Sequence, residues 1–195
     1  MIDGFLPASL AQGLLEHAWA NQADFRETGV VSDGADVVDR ADRRSLRLPA
    51  GLGMHEADFV NAVHAILPAA LEKLGAEAFD LAQTETELAA HGDGAFYNIH
   101  VDTLTQHNRE GRDTDRVLSG VWYAHRVPAG FIGGELALHP FGPGEPALIE
   151  PRHNRLVLFS SIAPHAVRPV ACASGDFADY RFAVNCWLHR ARPVG

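Results

Sequence analysis

Apolar residues recur at helical spacing in two stretches of the first 80 residues and with period two through most of the rest. After Pro7, Leu10, Leu14, Leu15 and Ala18 share one face of a helix that Asn21 and Gln22 bring to an end. A second stripe of Phe59, Val63, Ile66, Leu67, Ala70, Leu71 and Leu74 predicts another helix, stopped by Gly75 and kinked at Pro68. Between the two lie the turn Ser32-Asp33-Gly34 and an arginine-dense segment, 39–47, that alternates only at its end and reads as short strands or loop.

Beyond Phe79 the segments 85–90, 96–102, 117–125, 135–139, 155–159, 166–170 and 180–188 are rich in Val, Ile, Phe, Tyr and Trp. Gly/Pro clusters at 92–94, 133–134 and 140–144 separate them, so they read as short strands. Strands in this number after two helices predict a mainly β fold with supporting helices: an antiparallel barrel or jelly roll buttressed by the N-terminal helices. The chain is expected to be one domain, with residues 1–80 as helix-rich support and 81–195 as the jelly-roll core. The long polar connection Thr103 to Asp115 reads as a lid over a site.

Charge narrows the functional classes. Sixteen Lys and Arg against 25 Asp and Glu give a net charge of −9, the opposite of the basic surface that phosphate backbones require, so nucleic acid is not an expected partner. Lys73 is the single lysine, which argues against Schiff-base chemistry. Two cysteines make no disulfide framework, no charged-then-apolar signal opens the chain, and apolar runs fall short of the roughly 20 residues of a membrane span. A cytoplasmic protein without a membrane partner is expected.

Among eleven histidines, His100 stands out because His100 and Asp102, two apart on a strand, point the same way. With a second imidazole from His165 they would make the 2-His-1-carboxylate triad that leaves three metal positions open. A surface His/Asp pair is the plain alternative. On the strand 180–188, Arg181, Ala183, Asn185 and Trp187 share a face opposite the greasy Phe182, Val184, Cys186 and Leu188. A guanidinium pointing into a barrel needs an anion, either a dicarboxylate ligand or an internal Asp or Glu.

These residues carry a resemblance. The stretches 94–102, 116–123, 133–136, 149–159, 164–167 and 181–187 resemble, in order, the prolyl 4-hydroxylase-like branch of the 2-oxoglutarate and Fe(II)-dependent dioxygenases. The N-terminal part is similar only in being helical and in its Phe5-Leu6-Pro7 opening. The resemblance implies a double-stranded β-helix of the cupin-like kind, Fe(II) on His100, Asp102 and His165, and 2-oxoglutarate and O2 as cosubstrates, with ascorbate as a candidate reductant. It further implies that Arg181 holds the distal carboxylate of 2-oxoglutarate, that Tyr123 adds a hydroxyl to it, and that Trp187 stands beside the cosubstrate. Where many relatives carry a cosubstrate-contacting tyrosine before the Gly-rich turn, this chain has His91, read as a cosubstrate contact or as structural. The carboxylate ligand Asp102 favours hydroxylation over the halogenation of relatives that lack it. The implied activity hydroxylates a C–H bond with release of succinate and CO2, on a prolyl or other residue of a protein or peptide, with a small-molecule substrate left open.

The remaining candidates read more plainly. His125 is a rim histidine or a substrate contact; His139, His153 and His189, near turns or the chain end, read as solvated; and His17, His55 and His64 belong to helices. Cys186 reads as a small core residue, and Arg43 and Arg44 as a solvated charge run or substrate contacts at the barrel mouth. Two competing classes stay open at this level: a non-catalytic cupin-like sensor, and a zinc hydrolase using the same triad. Neither requires the clamp of Arg181 and Tyr123.

Overall fold

The structure, a computed structural model, describes residues 1–32, 35–104, 109 and 111–192. Helix α1 (Ala8–Ala20) ends where Asn21 donates to the His17 carbonyl from both its side chain (2.8 Å) and its backbone (3.2 Å). Helix α2 (Glu56–Leu74) continues past Pro68 and stops at Gly75, whose φ of 61° is open to glycine at little steric cost. Leu74, expected on the buried stripe, is exposed, because it falls on the last turn as the helix leaves the core.

The strands, numbered in chain order, form two principal sheets. The major sheet runs β1 (Ile2–Asp3), β13 (Arg155–Ser160), β9 (Thr114–Ala124), β16 (Arg181–Ala191), β7 (Leu81–His91), β6 (Leu46–Arg47) and β2 (Arg26–Glu27). The minor sheet runs β12 (Ala147–Ile149), β11 (Leu136–Leu138), β14 (His165–Val167), β8 (Phe96–His100) and β5 (Arg43–Arg44). Two ribbons, β3 (Val30–Ser32) with β4 (Ala35–Val37) and β10 (Ile132–Gly133) with β15 (Val170–Ala171), complete the described strands. The pairings are antiparallel, as the predicted jelly roll requires. The first 80 residues supply more than helices: β1, β2 and β6 extend the major sheet and β5 the minor one. At two residues each, these strands are too short to display alternation.

The pleat of the three central strands sorts stability from chemistry. On one face of β16, Phe182, Val184, Cys186 and Leu188 join Leu88, Leu118 and Trp122 against Leu14, Leu15, Phe59 and Val63 of the helices. Each such side chain contributes roughly 1.5–3 kcal/mol when fully buried. Burial pushes the Cys186 thiol up to about 12, consistent with its reading as an inert core residue. On the other face, Ala183 packs with Tyr123, Leu136, Val157 and Phe159 between the two sheets. Arg181, Asn185 and Trp187 line a cavity on that same side.

Gly120 of β9 stands opposite Cys186 of β16 and Leu158 of β13. A methyl group there would overlap Cys186 Sγ and approach Leu158 Cδ2 to 3.0 Å. Gly120→Ala is therefore expected to destabilise the fold by about 1–3 kcal/mol through overpacking. A urea midpoint equal to that of the unaltered protein would contradict the tight packing between these strands.

Candidate functional site

Antiparallel pairing of β14 with β8 sets His165 directly opposite His100, which is how residues 65 apart in the chain come to share one spot. Asp102 lies two residues past the end of β8 rather than on it, and there the Ser161 carbonyl accepts its backbone N–H at 2.9 Å. The strand predicted over 96–102 thus stops at His100, and a side chain expected from strand alternation is instead placed by a turn. His100 Nε2 stands 3.8 Å from Asp102 Oδ1, His165 Nε2 stands 3.5 Å from Asp102 Oδ2, and one ligand atom from each residue falls within 4.8 Å of the others.

Both rings are oriented from behind. His100 Nδ1–H donates to the Asn98 carbonyl at 2.8 Å and His165 Nδ1–H to the Ala163 carbonyl at 3.0 Å, which leaves each Nε2 lone pair facing the shared spot. Burial, reinforced by the neighbouring His165, holds His100 down to about 3, so it is the neutral imidazole, the form a metal would require. Tyr97 stacks on His100 with ring centroids 3.5 Å apart, and the Arg43 guanidinium lies 4.8 Å from the Tyr97 centroid on a further layer. The donor set of two imidazoles and one carboxylate suits a divalent transition metal such as Fe(II) and would fill only part of its coordination sphere.

In the same cavity, of about 250 Å³, stands Arg181, only 1% exposed. Its Nη1 donates to His91 Nδ1 at 3.2 Å, and its Cζ lies 4.8 Å from the centroid of the Tyr123 ring. Burial, then the charges of Arg181 and Arg43, keep His91 neutral and so able to accept that bond. Among the described residues no carboxylate pairs with Arg181, and Glu135 acts on it only at longer range. Arg181 Nε and the Tyr123 hydroxyl are both buried and stand close enough to interact with each other, yet neither makes a hydrogen bond of good geometry there. Two orphaned polar groups on one wall fit a carboxylate-bearing ligand and leave the internal ion-pair alternative without a partner. Gly134 makes room for them, since a methyl at that position would come within 2.7 Å of Arg181 Cδ.

Other lining residues were not singled out by their sequence positions. Trp187 faces the cavity as expected and carries the Arg116 guanidinium 4.0 Å above its ring. Arg116 in turn pairs with Glu85 at 2.7 Å, and Arg43 with Glu87 at 2.9 Å. Ser119 donates to Asp102 Oδ2 at 2.6 Å. The signal for these was available in part: Ser119 shares strand parity with Tyr123, and Glu85 and Glu87 share it with His91.

Of the two adjacent arginines, Arg43 lines the cavity and Arg44 borders a separate depression. His189, expected to be solvated, is buried: it lies within β16 on the cavity-side parity, bonded to Thr114 at 3.0 Å and facing Glu85 at 3.3 Å. His125 is also buried, but its Nδ1 donates to the Arg126 carbonyl and it does not line the cavity. Of the proposed lid, residues 105–108 and 110 lie outside the described residues.

Comparison with known proteins agrees with this geometry. Residues 86–189 match the 2OG-Fe(II) oxygenase superfamily. The chain is 33% identical over 132 residues to an uncharacterized PKHD-type hydroxylase of Synechocystis sp., an alignment covering 64% of this chain and 42% of that relative. The chain thus spans less than half the length of that curated relative. Among solved structures, a Pseudomonas putida prolyl-4-hydroxylase superposes with a TM-score of 0.68 at 23% identity, over 98% of this chain and 91% of the other. A Trichoplax adhaerens prolyl hydroxylase, solved with a hypoxia inducible factor peptide fragment, gives 0.67 at 20% identity, over 96% and 81% of the two chains. At these identities the structural likeness is one of fold, the double-stranded β-helix.

If the triad binds metal, His100→Ala, Asp102→Ala and His165→Ala should each lose Mn(II) binding in a titration while the melting temperature without metal stays near that of the unaltered protein. Retained stoichiometric binding in any one of them removes that residue from the ligand set.

Glu85 gives an acid-range prediction. Burial works to raise its carboxyl, but the facing His189 imidazole, 3.3 Å away, and the Arg116 guanidinium outweigh it and hold the group at about 2 against an ordinary 4.5. Its contribution to stability is therefore present above pH 4.5 and is lost as pH falls toward 2. Glu85→Gln should flatten the decline of melting temperature across that window, and an unaltered decline would show that this pairing does not contribute.

Proposed function

The chain belongs to the 2OG-Fe(II) oxygenase superfamily, and from that premise we propose that it hydroxylates a C–H bond on a prolyl or other residue of a protein or peptide, releasing succinate and CO2. The observation that carries this reading is the buried Arg181 with its unpartnered Nε, beside the equally unpartnered Tyr123 hydroxyl, in the cavity that also holds the triad. A hydrolase or a sensor has no need of a carboxylate clamp at that place. The peptide substrate draws support from the Trichoplax enzyme, which was solved with a peptide fragment bound.

In this reading His100 and His165 would hold Fe(II) through Nε2 and Asp102 through a carboxylate oxygen, on one side of the ion. When bound, Fe(II) and 2-oxoglutarate supply an oxidative decarboxylation that places one atom of O2 in succinate and the other on the substrate carbon. Arg181 would take the distal carboxylate of 2-oxoglutarate, and the Tyr123 hydroxyl would donate to the same group. His91, neutral and accepting from Arg181 Nη1, fixes the plane of the guanidinium and leaves Nε free for the cosubstrate. His91 is thus a partner of the arginine rather than a direct substitute for the relatives' tyrosine. Trp187, overlaid by Arg116, walls the cavity and limits water beside the reacting carbon.

Anaerobic addition of Fe(II) and 2-oxoglutarate should produce a weak visible charge-transfer band. With O2 and ascorbate, candidate peptides should gain one oxygen by mass spectrometry in step with succinate. Absence of the band together with tight zinc retention would favour the hydrolase.

Arg181→Lys keeps the charge and loses the planar fork, so the KM for 2-oxoglutarate should rise with little change in metal affinity. A charged hydrogen bond is typically worth about 1.5–3 kcal/mol, which corresponds to roughly tenfold to a hundredfold in apparent affinity. A lowered melting temperature with an unchanged KM would instead make Arg181 structural.

A further inference from the structure

Ser119 and Ser161 are almost wholly buried, at 1% and 0% exposure, next to a carboxylate that belongs to the triad. Ser119 Oγ lies 2.6 Å from Asp102 Oδ2 and 2.9 Å from Ser161 Oγ. An ionised carboxylate only accepts, so the single Ser119 proton goes to Asp102, and Ser161 is left as the donor to Ser119. The Ser161 carbonyl meanwhile accepts the backbone N–H groups of Asp102 (2.9 Å) and Thr103 (3.0 Å). One residue, Ser161, thus holds the Asp102 main chain directly and the Asp102 side chain through Ser119.

Asp102 needs such support more than its two companions do. His100 and His165 are fixed by the β8–β14 ladder and by hydrogen bonds from Nδ1, whereas Asp102 lies beyond the last residue of β8. The terminal torsion of an aspartate is broad and roughly two-fold, so an unsupported carboxylate would swing across several rotations. We propose that Ser119 is a positioning residue for the metal. Its hydroxyl holds the Asp102 carboxylate in the one rotation in which its oxygens stand 3.8 and 3.5 Å from the two Nε2 atoms. By engaging Oδ2 it also opposes closure of both oxygens on the ion, which would consume a position that the cosubstrate or O2 requires. The inference rests on the metal-binding reading of the triad and deepens it.

Partners of this kind typically change metal affinity by about 10–100-fold when removed. The test is titration of the whole protein with Mn(II), followed by the electron paramagnetic resonance signal of the free ion, with melting temperature measured in parallel without metal. Ser119→Ala should weaken Mn(II) binding by at least about tenfold. Ser161→Ala, which takes an oxygen from the same buried pair but leaves the donor to Asp102, should weaken it less, with both melting temperatures close to that of the unaltered protein. Affinity within twofold of the original in Ser119→Ala overturns the proposal, and so does an equal loss in the two variants, since the effect would then belong to the buried pair as packing. If the unaltered protein binds no Mn(II), the triad reading itself fails, and His165→Ala, which should abolish binding, separates that failure from the failure of Ser119.

Discussion

A guanidinium sealed from water is among the costlier arrangements a fold can carry, and the inner surface of this protein is organised around one that no carboxylate of the described residues faces as a pair. Arg181 is tolerated because each neighbour relieves part of that cost. A neutral His91 accepts one of its protons, the Tyr123 ring lies across its charge, and a glycine at position 134 leaves space for its stem. What remains is one unused donor and one unused hydroxyl on a common wall. These groups keep capacity for an anion, which is the role proposed for them toward 2-oxoglutarate.

The rest of the cavity is charge-balanced in a different way. Arg43 with Glu87 and Arg116 with Glu85 are internally compensated pairs, each with its arginine over an aromatic face, Tyr97 in one case and Trp187 in the other. Such layers are stiff: a planar cation on a ring, tied at one end to a carboxylate, has few alternative rotamers. One layer also reaches the metal side, since Tyr97 stacks directly on His100. Rigidity around the ligands therefore comes from stacking on the His100 side and from hydroxyl hydrogen bonding on the Asp102 side.

How much of this was legible in the sequence depended on segment length and on parity. The long strands β7, β9 and β16 declared themselves, and β16 disclosed both of its faces, because eleven residues give an alternation several chances to repeat. The two-residue strands could not, so Arg47 went unnoticed and Arg43 was left between a solvated charge run and a contact at the barrel mouth. His165 was a candidate that no spacing rule could establish, since its meeting with His100 is a matter of sheet pairing. His189 was read as solvated because it lies near the chain end, whereas Ser119, in the middle of β9, drew no reading, since a polar residue in a strand is placed only once both faces of that strand are known to be covered. Asp102 was placed correctly by an incomplete argument, because strand alternation does not extend to it.

The two-faced character of β16 makes the reading frame of that strand unusually consequential. Its pairing with β7 and β9 fixes which residues look toward the helices and which toward the cavity. Deleting one residue between Ala183 and Asn185 would leave the composition almost untouched, yet it would exchange the two faces for every position on one side of the cut. Trp187 would be turned into the greasy core, and Cys186 and Leu188 into the cavity. A point substitution along β16 touches one face at a time, whereas a shift of one position would cost the core and the site together, so insertions and deletions should be far rarer in this strand than in the turns that flank it.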